Sequence, residues 1–374
     1  MRPDQRFPVD DVSQVGEVRR AAQALTAELG FHEEAAGRVA LAVTELGTNL
    51  VRHVGPGRQC ALLLGVERTL DGAWLRVISL DQGGGMDLSR CLQDGYSTGG
   101  SSGTGLGAVK RMADRFDAFS ADGRGSVLVA SFSPRGRIPG SPWPAGGPPA
   151  PDRTAFDIGA VALAAPGETI CGDGWALRRE DTRWLVGLAD GLGHGAAAAQ
   201  ASDRFAQLLS AASDRALASP AAFLDDAHER MRATRGAAAA AVALEEGASS
   251  LRFAGAGNIV GRLISGVADR TLLSQHGTLG LQVRRLQDVV YDWPPHAVLV
   301  LHSDGIVSRW TLEDTPGLIQ AAPAVIAAWV LRDQLRGRDD ACVVVVRRAA
   351  PATSAGTARA IAAGTGQPAI EGEP

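Results

Sequence analysis

Apolar and polar positions alternate with two different periods along this chain, and the switches between them mark out its elements. Over residues 11–30, Val12, Val15, Ala22, Leu25 and Leu29 recur at helical spacing. Asp11 followed by Gln14 predicts a capping-box start, and Gly30 a stop. A second helix is predicted over residues 33–54. Val39, Val43, Leu46, Leu50 and Val54 make one stripe on it, and Glu45, Asn49, Arg52 and His53 another on a different face. A polar face of this kind is ordinarily just the solvent side. Strand-like runs follow at 59–67 and 74–80. A Gly/Ser-rich loop over 94–107 then opens into a helix from Leu106 to about residue 114, and strands are predicted at 116–120 and 125–132.

Beyond this point the pattern lapses. Residues 136–152 are Pro/Gly-rich without apolar periodicity and read as a semi-extended linker carrying a lone Trp143. Strand-like runs resume at 156–164, 184–189, 237–244, 251–254, 259–264, 298–302 and 341–347, with helices over 196–212 and 220–235. Many strands with two long helices suit a β-sandwich flanked by helices. The expected organisation is α+β with two domains, residues 1–135 and 153–348, followed by a disordered tail over 349–374 rich in Ala, Gly, Thr and Pro.

The chemistry concentrates where apolar runs begin or end. The run 185–189 stops at Asp190-Gly191-Leu192-Gly193-His194-Gly195, just before an alanine-rich helix. Gly172-Asp173-Gly174 lies upstream, Ser303-Asp304-Gly305 follows another apolar run, and Asp339-Asp340 precedes the last. Asp-Gly alone is a turn signal. Carboxylates gathered at several strand ends repel one another unless a cation neutralises them, and glycines let backbone carbonyls and waters approach such a cation. In order and spacing these motifs resemble the metal-dependent PPM-type serine/threonine phosphatases, closest to the SpoIIE/RsbX branch, over about residues 155–348. The resemblance implies two Mn²⁺ or Mg²⁺ ions held by Asp173, Asp190, the Gly191 carbonyl, Asp304 and Asp339, with a bridging water attacking phosphorus. Asp190 is then the central catalytic ligand. Asp340 competes with Asp339 for the last place, and Asp339 is favoured because Asp340 falls at the strand edge. Cys342 stands where the family usually has Thr or Ser. The short interval from Asp304 to Asp339 implies that the accessory flap of larger relatives is missing. His194 is either a phosphate or metal-water contact or a turn residue, and Cys171 is read as a small buried residue.

In the first half, Glu45-Leu46-Gly47-Thr48-Asn49, Asp81-Gln82-Gly83-Gly84-Gly85 and Gly103-Thr104-Gly105-Leu106-Gly107 resemble the GHKL (Bergerat-fold) ATP-binding domain, nearest the RsbT-like switch kinases, over about residues 8–133. The resemblance implies an α/β sandwich in which Asn49 binds the Mg²⁺ of ATP, Glu45 acts as base toward a protein serine, and Asp81 accepts from the adenine amino group. Gly83, Gly85, Gly103, Thr104, Gly105, Leu106 and Gly107 would line the nucleotide and its lid. A Gly-rich loop at a helix N-terminus suits phosphate in any case. The implied partner is a STAS-domain anti-sigma antagonist or scaffold. The alternative is an anti-sigma module that sequesters a sigma factor, and a further one is a domain that only senses ATP. Counted from Pro134, a linker of about 19 residues would let one partner reach both sites.

Composition narrows the classes further. A formal net charge of -4 gives no electrostatic case for nucleic acid or anionic membrane. Lys110 is the only lysine, so arginine carries nearly all positive charge. The four cysteines form no CxxC pair, which fits a reducing cytoplasm, and no stretch is apolar enough to span a bilayer.

Overall fold

The computed structural model describes residues 2–54, 57–69, 72–93, 105–135, 155–349 and 360–362. The 136–152 linker with Trp143, the loop positions Gly103 and Thr104, and the tail apart from 349 and 360–362 lie outside the described residues.

The first half runs β1 (Gln5–Pro8), α1 (Val12–Glu28), α2 (Glu33–His53), β2 (Cys60–Thr69), β3 (Gly72–Asp81), the single turn α3 (Leu88–Cys91), α4 (Leu106–Met112), β4 (Arg115–Ala121) and β5 (Gly125–Phe132). Its sheet has the order β1-β2-β3-β5-β4. The capping box forms: Asp11 accepts from Ser13 N–H, and the Gln14 side chain accepts from Asp11 N–H. The buried face of α1 is Val15, Val18, Ala22 and Leu25. Val12 is 61% exposed and does not join it. Helical side chains lean toward the N-terminus, so one in the first turn reaches past the end of the packed face. On α2 the expected stripe is the buried one, and with α1 and α4 it covers one face of the sheet.

The second half contains β6 (Phe156–Leu163), β7 (Asp173–Glu180), β8 (Arg183–Gly191), α5 (Ala196–Ser210), α6 (Asp214–Ala218), α7 (Pro220–Arg230), β9 (Ala237–Glu245), β10 (Ser250–Ala256), β11 (Val260–Ile264) and β12 (Asp269–Leu272). A small β13 (Gly277–Thr278) and β14 (Gln282–Val283) hairpin follows, then β15 (Val289–Asp292), β16 (Val298–His302), α8 (Pro323–Gln334) and β17 (Ala341–Arg348). A short β18 (Ala360–Ala362) adds in parallel to β4. Two antiparallel sheets, β15-β10-β9-β8-β7 and β12-β11-β16-β17-β6, pack face to face. Val186, Leu188, Val242 and Phe253 meet Leu299, Leu301 and Val344 between them. Helices α5, α6 and α7 cover the outside of the first sheet. Among the described residues no helix is long and apolar enough to cross a membrane.

Helix α8 covers the outside of the other sheet and is the element the sequence pattern hides. Every residue from Val325 to Leu331 is buried, so it lacks the polar face that marks an amphipathic helix. The reason is that it is covered twice. One side lies on β6 and β17, so closely that a Cβ on Gly159 would come within 2.1 Å of Ala324 N. The other side fills the second face of the N-terminal sheet, against Ile78, Leu80, Phe119, Val127 and Val129. Phe119 meets Trp329 edge-on, ring centroids 5.1 Å apart. The two halves therefore share one core, and are not held apart by the linker.

A polar clasp closes the seam beside it. Asp4 N–H donates to Ala162 O at 2.8 Å, and its carboxylate accepts from Ala162 N–H at 3.0 Å and from Arg76 Nη2 at 3.0 Å. A side chain on Gly65 would collide with that carboxylate. The Asp4–Arg76 pair is buried, so removing one partner strands the other charge.

Trp329→Ala should cost about 3–5 kcal/mol, as for other large aromatic truncations in packed cores. Calorimetry of the full chain should show one unfolding transition that shifts as a unit. Two transitions, only one of them displaced, would mean that the halves unfold independently.

Candidate metal centre and nucleotide site

The register of β7 with β8 sets Asp173 directly opposite Asp190. Like charges across a strand pair destabilise each other, and both carboxyls are pushed up from the usual carboxylate range. For Asp173 the first cause is burial, followed by Asp190. For Asp190 burial, then Asp304 and Asp339, raise it to about 7. Asp304 arrives from the end of β16. The close approach there requires Gly305, since a Cβ would sit 2.0 Å from Asp340 O. Gly191 is equally constrained, its Cβ position lying 2.1 Å from Ala198 O. The structure thus brings Asp173, Asp190, Gly191, Asp304 and Asp339 to one end of the two-sheet sandwich.

The Asp339–Asp340 pair divides its work. Asp340 is 3% exposed, and its two oxygens accept from Ala165 N–H at 2.8 Å and Gly172 N–H at 2.9 Å. Its carboxylate ties the β6 end to the Asp173 loop. Asp339 remains exposed and accepts from Asp340 N–H at 2.9 Å.

Two supporting residues have no place in the sequence expectation. Asn258 Nδ2 donates to Asp304 at 2.6 Å, and the same amide moderates the rise of the Asp190 carboxyl. Ser303 Oγ donates to Asp173 at 2.6 Å while accepting from Cys342 N–H at 2.9 Å. A legible signal for the first is Gly255-Ala256-Gly257-Asn258, an amide after glycines at a strand end. Ser303 sits inside the Ser-Asp-Gly motif itself. Among the described residues no three His, Cys, Asp or Glu side chains already close around one point. The donor set is nonetheless wholly oxygen, as hard divalent cations require, and such ions complete their shells with water. These residues fit that group.

Other conspicuous residues take structural places. His302 is buried and held near 4 by desolvation, donating from Nδ1 to Ser303 O and accepting from Trp310 Nε1. Burial, with Asp173 adjoining, pushes the Cys171 thiol far up, which disfavours a thiolate. His194 Nδ1 lies 2.9 Å from Glu168 Oε1 on the surface.

In the first half, Glu45 and Asn49 lie half-buried on α2, and Asp81 ends β3 with its Oδ1 accepting from Gly83 N–H at 2.8 Å. Gly85 has φ +81°, and a Cβ there would press within 2.4 Å of Ala121 O. Gly105 caps α4, whose first residues are Leu106 and Gly107. Arg38 fixes α4 to α2 by donating to Met112 O at 2.7 Å. From the other half, Arg332 donates to Asp81 O at 2.5 Å while its guanidinium stacks on Trp329 at 3.7 Å. Gln82 donates to Asp333 at 3.5 Å.

Residues 8–132 match the family described as a histidine kinase-like ATPase domain, and residues 180–349 the family described as stage II sporulation protein E (SpoIIE). The serine/threonine-protein kinase RsbT of Bacillus subtilis (strain 168) is 34% identical over 115 residues, 30% of this chain and 83% of that protein. A solved structure from work on the bacterial stressosome covers 51% of this chain and 99% of its own, at 24% identity and TM-score 0.47. The RsbU and RsbW domains of a Mycobacterium tuberculosis protein cover 53% of this chain and 62% of their own, at 20% identity and TM-score 0.42.

The raised carboxyls predict a pH dependence. Asp190 titrates near 7 in the fold against 3.8 ordinarily. Between those values the folded chain holds a proton that the unfolded chain releases, so stability falls as pH rises through the window. His302, lowered from 6.5 to about 4, acts oppositely but only below 6.5. With chelator present, the melting temperature should therefore fall from pH 6.5 to 8, and Mn²⁺ should abolish the fall. Asp190→Asn should flatten it. A chelated protein that becomes more stable over this interval would contradict the electrostatic picture.

Proposed function

Since the chain belongs to the RsbT family of histidine kinase-like ATPases and carries a SpoIIE domain behind it, we propose that it is a bifunctional regulatory switch. Its second half is a metal-dependent protein serine/threonine phosphatase, and its first half an ATP-binding, serine-kinase-like domain acting in the same pathway. The observation that supports the phosphatase reading is Asp173 opposite Asp190, both carboxyls raised first by burial and then by neighbouring carboxylates, with Asp304 and Asp339 alongside.

Two Mn²⁺ or Mg²⁺ ions, when bound, supply positive charge at phosphorus and a water acidic enough to attack it. Asp173, Asp190, the Gly191 carbonyl, Asp304 and Asp339 are the residues to hold them. Ser303 fixes the rotamer of Asp173, and Asn258 holds Asp304. Asp340, satisfied by two backbone amides, serves the frame.

In the first half, Asn49 is proposed to bind the Mg²⁺ of ATP, Asp81 the adenine amino group, and Gly83, Gly85, Gly103, Thr104, Gly105, Leu106 and Gly107 the rest of the nucleotide. Glu45 is the proposed base that takes the proton of an acceptor serine. The proposed acceptor is a STAS-domain protein of a cytoplasmic sigma-factor pathway, phosphorylated by one half and dephosphorylated by the other. A reducing location agrees with four free cysteines.

One observation favours a second reading, in which the first half senses ATP. Arg332 holds the backbone of Asp81, and the residues just after its helix hydrogen-bond the metal-side loop, Arg336 N–H to Gly305 O at 2.9 Å. Nucleotide at Asp81 then biases the carboxylates through α8.

Mass spectrometry of a STAS partner incubated with the full chain, ATP and Mn²⁺ separates the readings. Asp190→Ala should leave the partner fully phosphorylated, and Glu45→Ala should leave it unmodified, with transfer slowed about 10²–10⁴-fold. A partner left unmodified by Asp190→Ala refutes the kinase assignment. If ATP instead changes dephosphorylation by Glu45→Ala, the sensor reading holds.

A further inference from the structure

Among the described residues, Arg235 stands beside the acidic cluster and spans no ion pair. The β8–β9 register pairs Gly191 with Ala237, and Leu192 N–H donating to Gly236 O at 3.1 Å extends it beyond the strands. Arg235 therefore comes to lie across from Gly193. Its Nη2, Nη1 and Cζ sit 3.5, 3.6 and 3.7 Å from the place a Cβ on Gly193 would occupy, three residues past Asp190. The backbone that carries it is fixed. Thr234 Oγ1 donates to Met231 O at 2.7 Å and accepts from Gly236 N–H at 3.1 Å, and Gly236 adopts φ +85° where a Cβ would press on Leu279 O.

Neighbouring arginines are neutralised: Arg230 by Asp226 at 3.0 Å and Arg232 by Glu229 at 2.8 Å. Across the loop, Glu168 is taken by His194. Arg235 is exposed and spans no ion pair among the described residues, although Asp190, Asp304 and Asp339 lie on the same side of the fold. A groove of about 710 Å³ starts beside it, lined by Ile170, Ala196, Ala199, Gln200 and Thr234. The strand-end loop and the groove thus share a rim, and Arg235 stands on it.

We propose that Arg235 receives the phosphoryl oxygens of the phosphoserine or phosphothreonine substrate, and that the groove takes the polypeptide beside that residue. The proposal rests on the phosphatase reading and adds to it a substrate-binding residue. Four carboxylates would offset the charge of two divalent ions, so a cation of the protein's own adds the attraction a dianion needs. A guanidinium presents two parallel N–H groups matched to two phosphoryl oxygens, and it keeps its charge at any working pH. As it ligates no metal, its loss should spare metal binding.

The test uses the full chain with Mn²⁺, a phosphoserine peptide and p-nitrophenyl phosphate. Arg235→Met should raise KM for both substrates by roughly tenfold or more, the scale of a lost charge-assisted hydrogen bond. It should weaken inorganic phosphate binding, titrated calorimetrically, to the same degree. Arg235→Lys should recover part of each loss, and Mn²⁺ affinity should be no weaker than in the parent. Gln200→Trp, which fills the groove, should raise KM for the peptide alone. An active parent with an Arg235→Met variant of unchanged KM and phosphate affinity overturns the proposal while leaving the phosphatase reading intact. So does a variant that loses Mn²⁺. A parent inert toward both substrates with either metal removes the phosphatase reading, and this proposal with it.

Discussion

Helix α8 is the constraint from which the rest of the arrangement follows. A twelve-residue segment with no polar side can be stable in water only if both of its sides are covered. Here one cover is the outer sheet of the sandwich and the other the second face of the N-terminal sheet. Parting the helix from the N-terminal sheet would bare Trp329 on one side and Ile78, Phe119 and Val129 on the other. The same helix ends at Arg332 and Asp333, which touch the strand end at Asp81 and Gln82, and the chain then runs directly to Asp339. One packed element thus spans the distance between the two proposed chemistries.

Much of this was legible in the residues. The α2 stripe, the Asp11–Gln14 cap and most strands of both halves follow from period and capping alone, because those elements keep one wet side. Helix α8 was not legible for the opposite reason: Pro323-Ala324-Val325-Ile326-Ala327-Ala328-Trp329 has no contrast to read. Nor was the closeness of the halves. A Pro/Gly-rich linker suggests separation, and the apolar faces that cancel it lie on residues distant in sequence. Val12 entered the α1 stripe on spacing and left it on geometry. At the candidate metal centre the positions of the four carboxylates could be read from motifs. The division between Asp339 and Asp340 turns on which backbone amides point at which carboxylate, and the amide of Asn258 comes from a strand whose neighbours only the fold decides.

The centre stores its acids at a cost. Asp173 and Asp190 face each other on adjacent strands, and the sandwich gives them few donors beyond Ser303 and Asn258. Sheets ordinarily avoid like charges at paired positions. A pair kept there by two hydrogen-bonded supports is a frame waiting for positive charge. It is frustrated in the way functional sites usually are, with local preference overruled by what must bind.

The clasp at Asp4 carries a consequence for the order in which the protein is made. Strands β1 to β5 can pair with one another as soon as they leave the ribosome. Asp4, however, docks on Ala162, and Ile78 and Phe119 are covered by residues near 329. For the time it takes to synthesise some two hundred further residues, the early half must wait with an uncovered apolar face and a buried-to-be arginine, Arg76, still lacking its final setting. At a translation rate of about 5–20 residues per second that interval lasts roughly ten to forty seconds. During it the nascent chain is a client for whatever in the cell shields bare sheet faces, and the arrival of α8 is the event that ends that dependence.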